Sequence, residues 1–275
     1  MACGGDETED TAGASATNEA PSGVVSQIDI PYASSNGTTH TLDVHLPVEP
    51  AEAPIVIDTI QGFHDPAEVF AEQGVIAVVP EVSMRSPREV VGDPAALRAA
   101  AEQYACAIRF ARPRAAELGN DDPHVVLTGF SRFGATATHV GLLSDAFEDA
   151  WDEFAEAGGP PRQLDCEASG TTHVDGVVST GGAYGLYVPV FDGELRQDHE
   201  AATREFLAQA VGANPELTLR LLHGTDDPLL PGEAAQFTDA MTDAGYDVQL
   251  ITFDGEHVLP PTELLTSTIS EALDQ

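Results

Sequence analysis

Three residues of this sequence could together perform nucleophilic catalysis, because they are a serine, an acid and a histidine. Ser131, Asp227 and His257 each follow a short apolar run of the length of a buried strand. A serine hydroxyl becomes a nucleophile when an imidazole accepts its proton, and a carboxylate orients that imidazole and stabilises its charged form. Because the carboxyl ends of parallel strands share one edge of a sheet, we expect the three side chains to meet there.

Ser131 stands in a strand–turn–helix context. The strand-like residues 125–127 lead into Thr-Gly-Phe-Ser-Arg-Phe-Gly-Ala at 128–135, and a helical pattern follows. A serine on such a sharp turn has its hydroxyl held up at the edge of the sheet, and small neighbours are needed where strand and helix approach closely. Two places after the serine stands Phe133 instead of a small residue, and the glycine is deferred to Gly134. We expect Phe133 to crowd the turn.

The acid and the histidine lie in two later loops. Residues 223–231, His-Gly-Thr-Asp-Asp-Pro-Leu-Leu-Pro, follow a strand-like run, and Asp227, just before the proline, is the predicted acid. Asp226 is the neighbouring alternative. His257 follows the next strand-like run, within reach of both the serine and the acid. For His64 and His223, near the same edge, we expect structural hydrogen bonds rather than catalysis.

The elements that must position these residues alternate between strands and helices from residue 24 onward. Two alternating segments around Asn36-Gly37 predict a β-hairpin. Short apolar runs, separated mostly by amphipathic stretches, then predict a largely parallel sheet that helices cover on both faces. The predicted strands are 55–60, 75–79, 125–127, 174–178, 217–222 and 248–253, and the clearest predicted helices are 95–118, 135–143, 200–211 and 233–244.

The order serine, acid, histidine, each just after a strand, resembles the α/β-hydrolase superfamily over roughly residues 24–275. The segment Thr-Leu-Asp-Val-His-Leu-Pro at 41–47 is similar to the opening of its small serine esterases. The resemblance implies an α/β-hydrolase fold, with a mostly parallel eight-stranded sheet, an N-terminal antiparallel hairpin and helices on both faces. It also implies one catalytic domain, 23–275, in which Ser131 is the nucleophile, His257 the general base and then acid, and Asp227 its orienting partner.

The oxyanion hole departs from the pattern of those esterases. They usually carry His-Gly-Gly-Gly after the third strand, whereas here residues 61–64 are Gln-Gly-Phe-His. The hole needs N–H donors rather than particular side chains. We therefore expect the backbone N–H of Phe63 or Gly62 to act together with that of Arg132.

The sharp turn that carries Ser131, called the elbow, also resembles the corresponding turn of glucuronoyl esterases. In those enzymes an arginine after the serine helps to hold the oxyanion. Residues 129–134, Gly-Phe-Ser-Arg-Phe-Gly, satisfy that pattern. The Arg132 side chain would then assist the oxyanion, and the alternative is a surface arginine at a helix start.

Two features could shape a substrate pocket. Residues 144–170 form an insertion where the superfamily often places a cap, and Trp151 lies in an aromatic stripe of one predicted helix. That stripe either lines the pocket or packs against the core. The glycine-containing loop after the next strand carries Tyr184, for which we expect a contact with substrate.

The N-terminal segment and the cysteines indicate the cellular compartment in which the protein is expected. Residues 1–22 are predicted to be a disordered tether, and Cys3 resembles the lipidated cysteine of bacterial lipoproteins. The alternative is an incidental cysteine in a tail. We expect an extracytoplasmic protein, lipid-anchored to the cell envelope or secreted. Cys106 and Cys166 then form either a disulfide or two separate buried thiols.

Charge excludes several partners. The 275 residues include 46 acidic and 11 basic side chains, for a net charge of −35, and every basic residue counted there is arginine. Because nucleic-acid and anionic-membrane binding depend on cationic side chains, we exclude both. The apolar runs are too short to span a bilayer, so a membrane would be reached only through a lipid on Cys3. The acid surplus reflects either a salt-rich habitat or genomic bias.

The resemblance implies hydrolysis of carboxylic esters through an acyl-enzyme, with a small-molecule or polymer-borne ester as substrate. We expect a monomer. We also expect no cofactor and no metal, since the sequence has neither a phosphate-cradling glycine loop nor clustered metal ligands. The alternatives are a peptidase or a polysaccharide esterase acting on acetyl, feruloyl or glucuronoyl groups. A further alternative is a catalytically silent binding protein.

The acid surplus predicts that salt stabilises the fold. Repulsion among like charges destabilises the compact state, and the screening length falls to about 3 Å at 1 M salt. The melting temperature, followed by circular dichroism, should rise between low and molar NaCl. A flat or falling curve would leave genomic bias as the explanation for the missing lysines.

Overall fold

The computed structural model describes residues 17–19, 23–60, 66–82, 94–156, 162–184, 212–228 and 232–274. The strands of this part are β1 (Thr17–Glu19), β2 (Val25–Ser35), β3 (Thr38–Leu46), β4 (Ile55–Asp58), β5 (Ile76–Pro80), β6 (Val125–Phe130), β7 (Asp165–Cys166), β8 (Gly176–Thr180), β9 (Thr218–Gly224) and β10 (Asp247–Phe253). Its α-helices are α1 (Ala67–Glu72), α2 (Pro94–Glu117), α3 (Arg132–Leu143), α4 (Phe147–Glu156), α5 (Glu233–Asp243) and α6 (Thr262–Leu273). The helix predicted at 200–211 lies outside the described residues.

Nine of the ten described strands follow one another in the order β1-β2-β3-β5-β4-β6-β8-β9-β10, and β7 pairs with β2 beside this path. From β5 to β10 all neighbouring strands are parallel, whereas β3 joins β5 antiparallel. The predicted mostly parallel sheet is therefore confirmed. The described sheet has ten strands instead of eight, because the short strands β1 and β7 both pair with β2.

The hairpin β2–β3 is confirmed around Asn36 and Gly37. Both turn residues have positive φ, 49° and 79°. A two-residue turn with this geometry matches the twist of the strands that it joins, and Asn-Gly tolerates it well. The three residues of β1, in the segment 1–22, pair antiparallel with β2. The rest of that segment lies outside the described residues, so the disordered tether stays a prediction.

Helices cover both faces of the sheet, as alternating strand side chains require. Ile55 and Ile57 of β4 belong to a large apolar cluster with α2, α3 and α5, whereas Val56 between them belongs to a second cluster with α1 and α6. Successive side chains of a strand point to opposite faces. Burial on both faces explains why the central strands are continuous apolar runs.

The described parts of the insertion, 144–156 and 162–170, contact α2 and return to the sheet at β7. Glu148 of α4 pairs with Arg109 of α2, and β7 pairs with β2. Cys166 of β7 forms a disulfide with Cys106 of α2, with the Cα atoms 5.1 Å apart. Of the two alternatives for these cysteines, the disulfide is the one found.

Within the described ranges no helix is both long enough and apolar enough to cross a membrane.

The disulfide should contribute strongly to stability because it closes a loop of 60 residues. In the chain-entropy treatment, a closed loop of that length destabilises the unfolded state by about 4 kcal/mol. Cys166→Ala should therefore lower the free energy of unfolding by up to about 4 kcal/mol in urea titrations. Cys3→Ala is the matched control and should leave it unchanged. Equal stability of both variants and wild type would contradict a structural role for the bond.

Candidate active site

Ser131 occupies a strained turn between β6 and α3. Its backbone has φ 57° and ψ −123°, a conformation that non-glycine residues rarely adopt. The turn is held by the neighbouring strand, since the Ser131 N–H donates to the carbonyl oxygen of Thr180 over 2.8 Å. The predicted strand–turn–helix context is therefore found, and the side chain stands at the carboxyl edge of the sheet.

Phe133 does not crowd this turn with its side chain, so that expectation is corrected. The ring is only 7% exposed and packs in the large apolar cluster. The close approach involves the Phe133 backbone, because a Cβ on Gly129 would lie 2.5 Å from the Phe133 carbonyl group. A Cβ on Gly134 would likewise lie 2.5 Å from the Ser179 hydroxyl oxygen of β8. Gly129 and Gly134 thus supply the space that the turn needs.

Tyr104 of α2 supports the turn from below, a role that sequence reasoning missed. Its side chain is fully buried, and its hydroxyl lies 3.0 Å from the Thr128 carbonyl oxygen and 3.2 Å from that of Phe133. The same hydroxyl contacts the hydroxyl of Thr59. Tyr104 therefore connects the end of β6, the first turn of α3 and the segment after β4. A tyrosine within an amphipathic helix carries no sequence signal for this role.

Asp58 fixes the end of β4, where residues 61–65 begin. Its carboxylate, 1% exposed, accepts hydrogen bonds from the Ile60 N–H at 3.0 Å and the Thr128 hydroxyl at 2.5 Å. A buried carboxylate needs such donors to offset its desolvation. Asp58 thus fixes the backbone of Ile60 beside the end of β6.

The structure brings the three predicted catalytic side chains together. His257 Nε2 lies 2.9 Å from the Ser131 hydroxyl, and His257 Nδ1 lies 2.8 Å from Asp227 Oδ2. The side chains of His257 and Asp227 are 13% and 1% exposed. Asp226, the alternative acid, is exposed. The arrangement lets the imidazole accept a proton from the hydroxyl while the buried carboxylate stabilises the resulting positive charge.

The loops that carry the acid and the histidine are tied to each other by backbone hydrogen bonds. The Thr225 N–H donates to the Phe253 carbonyl over 2.9 Å, and the Asp226 N–H donates to that of Gly255 over 2.9 Å. On its other side the imidazole lies against Gly181, where a Cβ would be 3.3 Å from His257 Cε1. The histidine is therefore held between two loops.

His223 is a second histidine beside Asp227. Its Nε2 lies 3.9 Å from Asp227 Oδ2, and burial lowers the pKa of His223 below its ordinary value, although the nearby carboxylate opposes this. A neutral His223 leaves the negative charge of Asp227 to act on His257. The expected structural hydrogen bond is not found at Nδ1 of His223, which is buried without a hydrogen-bond partner among the described residues. His64 lies outside the described residues.

Of the residues predicted to form the oxyanion hole, only Arg132 lies among the described residues. Arg132 is the first residue of α3, and the N–H groups of a first helical turn make no hydrogen bond within the helix. Its guanidinium lies 4.8 Å from the centre of the Phe133 ring, so the side chain stacks on that ring. Phe63 and Gly62 lie outside the described residues.

The two predicted substrate contacts have different outcomes. Tyr184 lies in the core instead of the site: it is 1% exposed, stacks on Phe237 with ring centres 4.1 Å apart, and bonds Ser179 through its hydroxyl. Burial accordingly raises the pKa of Tyr184. Trp151 lies in α4, but its side chain is outside the described part. Phe147, at the start of the same aromatic stripe, is buried in the core.

Among the described residues, no group of three or more histidine, cysteine or acidic side chains could hold a metal ion.

Comparison with known proteins shows the fold. No protein-family model matches the chain, and no curated protein matches its sequence. Esterase B from Lactobacillus rhamnosis is a structural neighbour with a TM-score of 0.62 and 17% identity, covering 91% of this chain and 86% of that one. A truncated carbohydrate esterase from gut microbiota gives 0.57 and 18%, covering 91% and 96%.

A third neighbour is an acetyl ester-xyloside bifunctional hydrolase from Caldicellulosiruptor lactoaceticus. It has a TM-score of 0.57 and 20% identity, and the alignment covers 87% of this chain and 86% of that chain. These similarities confirm the predicted α/β-hydrolase fold class.

Gly129 should tolerate no side chain. A Cβ there would lie 2.5 Å from two backbone atoms of Phe133, which cannot move without displacing α3. Gly129→Ala should therefore lower the free energy of unfolding by about 2 kcal/mol or more. Gly176→Ala is a suitable control, because its Cβ would lie 3.2 Å from the Val126 side chain and no closer than 3.7 Å to any other atom. Equal losses in urea titrations would show that the elbow is not tightly packed.

Proposed function

We propose that this chain is a serine hydrolase that cleaves carboxylic esters through an acyl-enzyme intermediate. Ser131 is the nucleophile, His257 the general base and then acid, and Asp227 the residue that orients His257. The observation that carries this proposal is the continuous relay from the Ser131 hydroxyl through His257 to Asp227, with distances of 2.9 and 2.8 Å. Nucleophile, base and orienting acid within hydrogen-bond reach are the signature of an activated serine.

Each step of the reaction uses one of these groups. Ser131 Oγ attacks the ester carbonyl carbon while its proton passes to His257 Nε2, and the carbonyl oxygen becomes an oxyanion. When the intermediate collapses, the bond to the alcohol oxygen breaks, and His257 returns the proton to that oxygen. Water, deprotonated by His257, then attacks the acyl-enzyme and releases the acid and Ser131.

The oxyanion forms next to the start of α3. In the proposal the Arg132 backbone N–H is one donor, and the N–H of Phe63 or Gly62 is the second. The partial positive charge at a helix N-terminus favours the developing negative charge. Because the Arg132 guanidinium stacks on Phe133, the proposal assigns the oxyanion contact to its backbone.

The fold neighbours favour ester substrates over peptides. The names of the three neighbours describe an esterase, a carbohydrate esterase and an acetyl ester-xyloside hydrolase. The substrate of this chain is accordingly proposed to be a small-molecule or polymer-borne ester. An intact relay also favours catalysis over a silent binding protein, since nothing in simple binding requires a serine, a histidine and a buried acid in line.

A second serine, Ser144, has similar backbone angles and a neighbouring histidine and acid, but that histidine and acid are partly exposed to solvent. Ser144 has φ 47° and ψ −124°, and its hydroxyl lies 3.1 Å from Nδ1 of His173, whose Nε2 lies 3.4 Å from Asp175. The side chains of His173 and Asp175 are 41% and 28% exposed. Water weakens the influence of such an acid on its histidine. Ser144 therefore serves as a control for Ser131.

The proposed location is outside the cytoplasm. The disulfide between Cys106 and Cys166 supports it, because disulfides persist in oxidising compartments. Cys3, the proposed lipid site, lies outside the described residues.

The nucleophile can be tested by covalent labelling together with turnover. A fluorophosphonate probe should label Ser131 in the wild-type protein, and Ser131→Ala should abolish both the adduct and the hydrolysis of phenyl acetate. The expected loss in kcat is on the order of 10⁴-fold or more, since a residual rate comes only from binding and oxyanion contacts. Ser144→Ala should label and turn over like wild type.

Peptide mass mapping identifies the labelled serine. An adduct on Ser144, or wild-type turnover by Ser131→Ala, would refute the assignment. A folded wild-type protein that neither labels nor cleaves acetate, feruloyl or glucuronate methyl esters would favour the binding protein instead.

A further inference from the structure

A pocket of about 360 Å³ opens beside His257. Its walls come from the end of β4, from the residue before Ser131, from the loop after His257 and from the start of α6. The lining residues are Ile60, Pro66, Phe130, His257, Val258, Leu259, Pro260, Thr262 and Leu265.

The described lining is mostly apolar, and its polar side chains are the His257 imidazole and the Thr262 hydroxyl. None of the described residues that line it is an acid or an arginine, although the chain carries 46 acidic side chains. The Phe130 ring lies beside the imidazole, with ring centres 4.9 Å apart, so the apolar surface begins at the reacting group. A sugar would leave its hydroxyl groups without hydrogen-bond partners against such walls, which is costly.

The position of the pocket decides which half of an ester it receives. His257 must give its proton to the alcohol oxygen, which therefore lies within about 3 Å of Nε2 in the reacting complex. The group attached to that oxygen starts at the imidazole, where the pocket also starts. The acyl group extends from the other side of the carbonyl carbon, away from the imidazole.

We propose that this pocket binds the alcohol part of the substrate, and that this part is an apolar alkyl or aryl group rather than a sugar. An apolar cavity of about 150 Å³ holds benzene, so this pocket has room for about six to ten carbon atoms. Val258, half exposed at the pocket, is the residue best placed to set the length limit. The inference rests on the proposed ester hydrolysis and names its substrate class.

The first test varies one half of the ester at a time. In acetates of primary alcohols from ethyl to decyl, kcat/KM should rise by about fourfold per methylene and then level off when the pocket is full. These alcohols have nearly equal leaving-group reactivity, so binding of the chain determines the slope. In ethyl esters of acids from acetate to octanoate, the dependence should be clearly weaker. Acetylated xylose should give a lower kcat/KM than hexyl acetate.

The second test fills the pocket. Val258→Trp should flatten the dependence on alcohol length, so that the ratio of kcat/KM for hexyl acetate to kcat/KM for ethyl acetate falls at least tenfold. Val48→Trp is the matched control, because Val48 is the other exposed large apolar residue of the described chain and does not line the pocket. Leu259→Phe narrows the pocket from the same loop and serves if the tryptophan variant does not fold.

Three outcomes would overturn the inference. They are a steep dependence on acyl length with a flat alcohol series, a higher kcat/KM for acetylated xylose than for hexyl acetate, and an unchanged alcohol series in both folded pocket variants. Fluorophosphonate labelling of Ser131 in the same preparations separates these outcomes from failure of the proposed hydrolysis. If Ser131 is labelled but kcat/KM does not depend on alcohol length as expected, only the proposed role of the pocket is rejected. If Ser131 is not labelled, the proposed ester hydrolysis is rejected as well.

Discussion

The backbone conformation of Ser131 is the constraint on which the site depends. A non-glycine residue with φ 57° and ψ −123° costs of order 1–3 kcal/mol and persists only where its surroundings enforce it. Here the strand β8 receives the Ser131 N–H, Gly129 and Gly134 admit the crossing backbones, and the Tyr104 hydroxyl bonds carbonyl groups on both sides of the turn. These contacts stabilise the strained turn, and the turn aims the hydroxyl at His257.

Strain alone does not define the function, because Ser144 shares it at the other end of α3. The difference lies in the acid that stands behind each histidine. The Asp227 side chain is 1% exposed, whereas that of Asp175 is 28% exposed and is also near Arg112. A carboxylate removed from water and directed at one imidazole interacts with it far more strongly than a solvated carboxylate shared with an arginine. Burial of the acid therefore distinguishes the arrangement at Ser131 from the one at Ser144.

The sequence was sufficient to predict the fold class and the meeting of Ser131, His257 and Asp227, because each residue follows a strand and parallel strands share an edge. It was not sufficient for side-chain direction. Tyr184 follows β8 within three residues of Gly181, whose φ of 51° turns the chain, and its ring enters the core beside Phe237. Tyr104 acts through contacts between elements far apart in sequence, and periodicity within one helix cannot reveal those.

The net charge of −35 raises the question of how an oxyanion could form in such a protein. One exposed charge about 15 Å away contributes only about 0.3 kcal/mol in water, and salt screens it further beyond about 8–10 Å. The start of α3 is adjacent to Ser131, where its dipole acts over a few ångströms and little water intervenes. The start of α3 is therefore a source of positive potential close to the oxyanion, whereas each exposed acid acts on it only weakly. If the proposed function holds, a polyanionic substrate would meet the field of all the surface acids during its whole approach, so the acidic surface would disfavour it relative to a neutral ester.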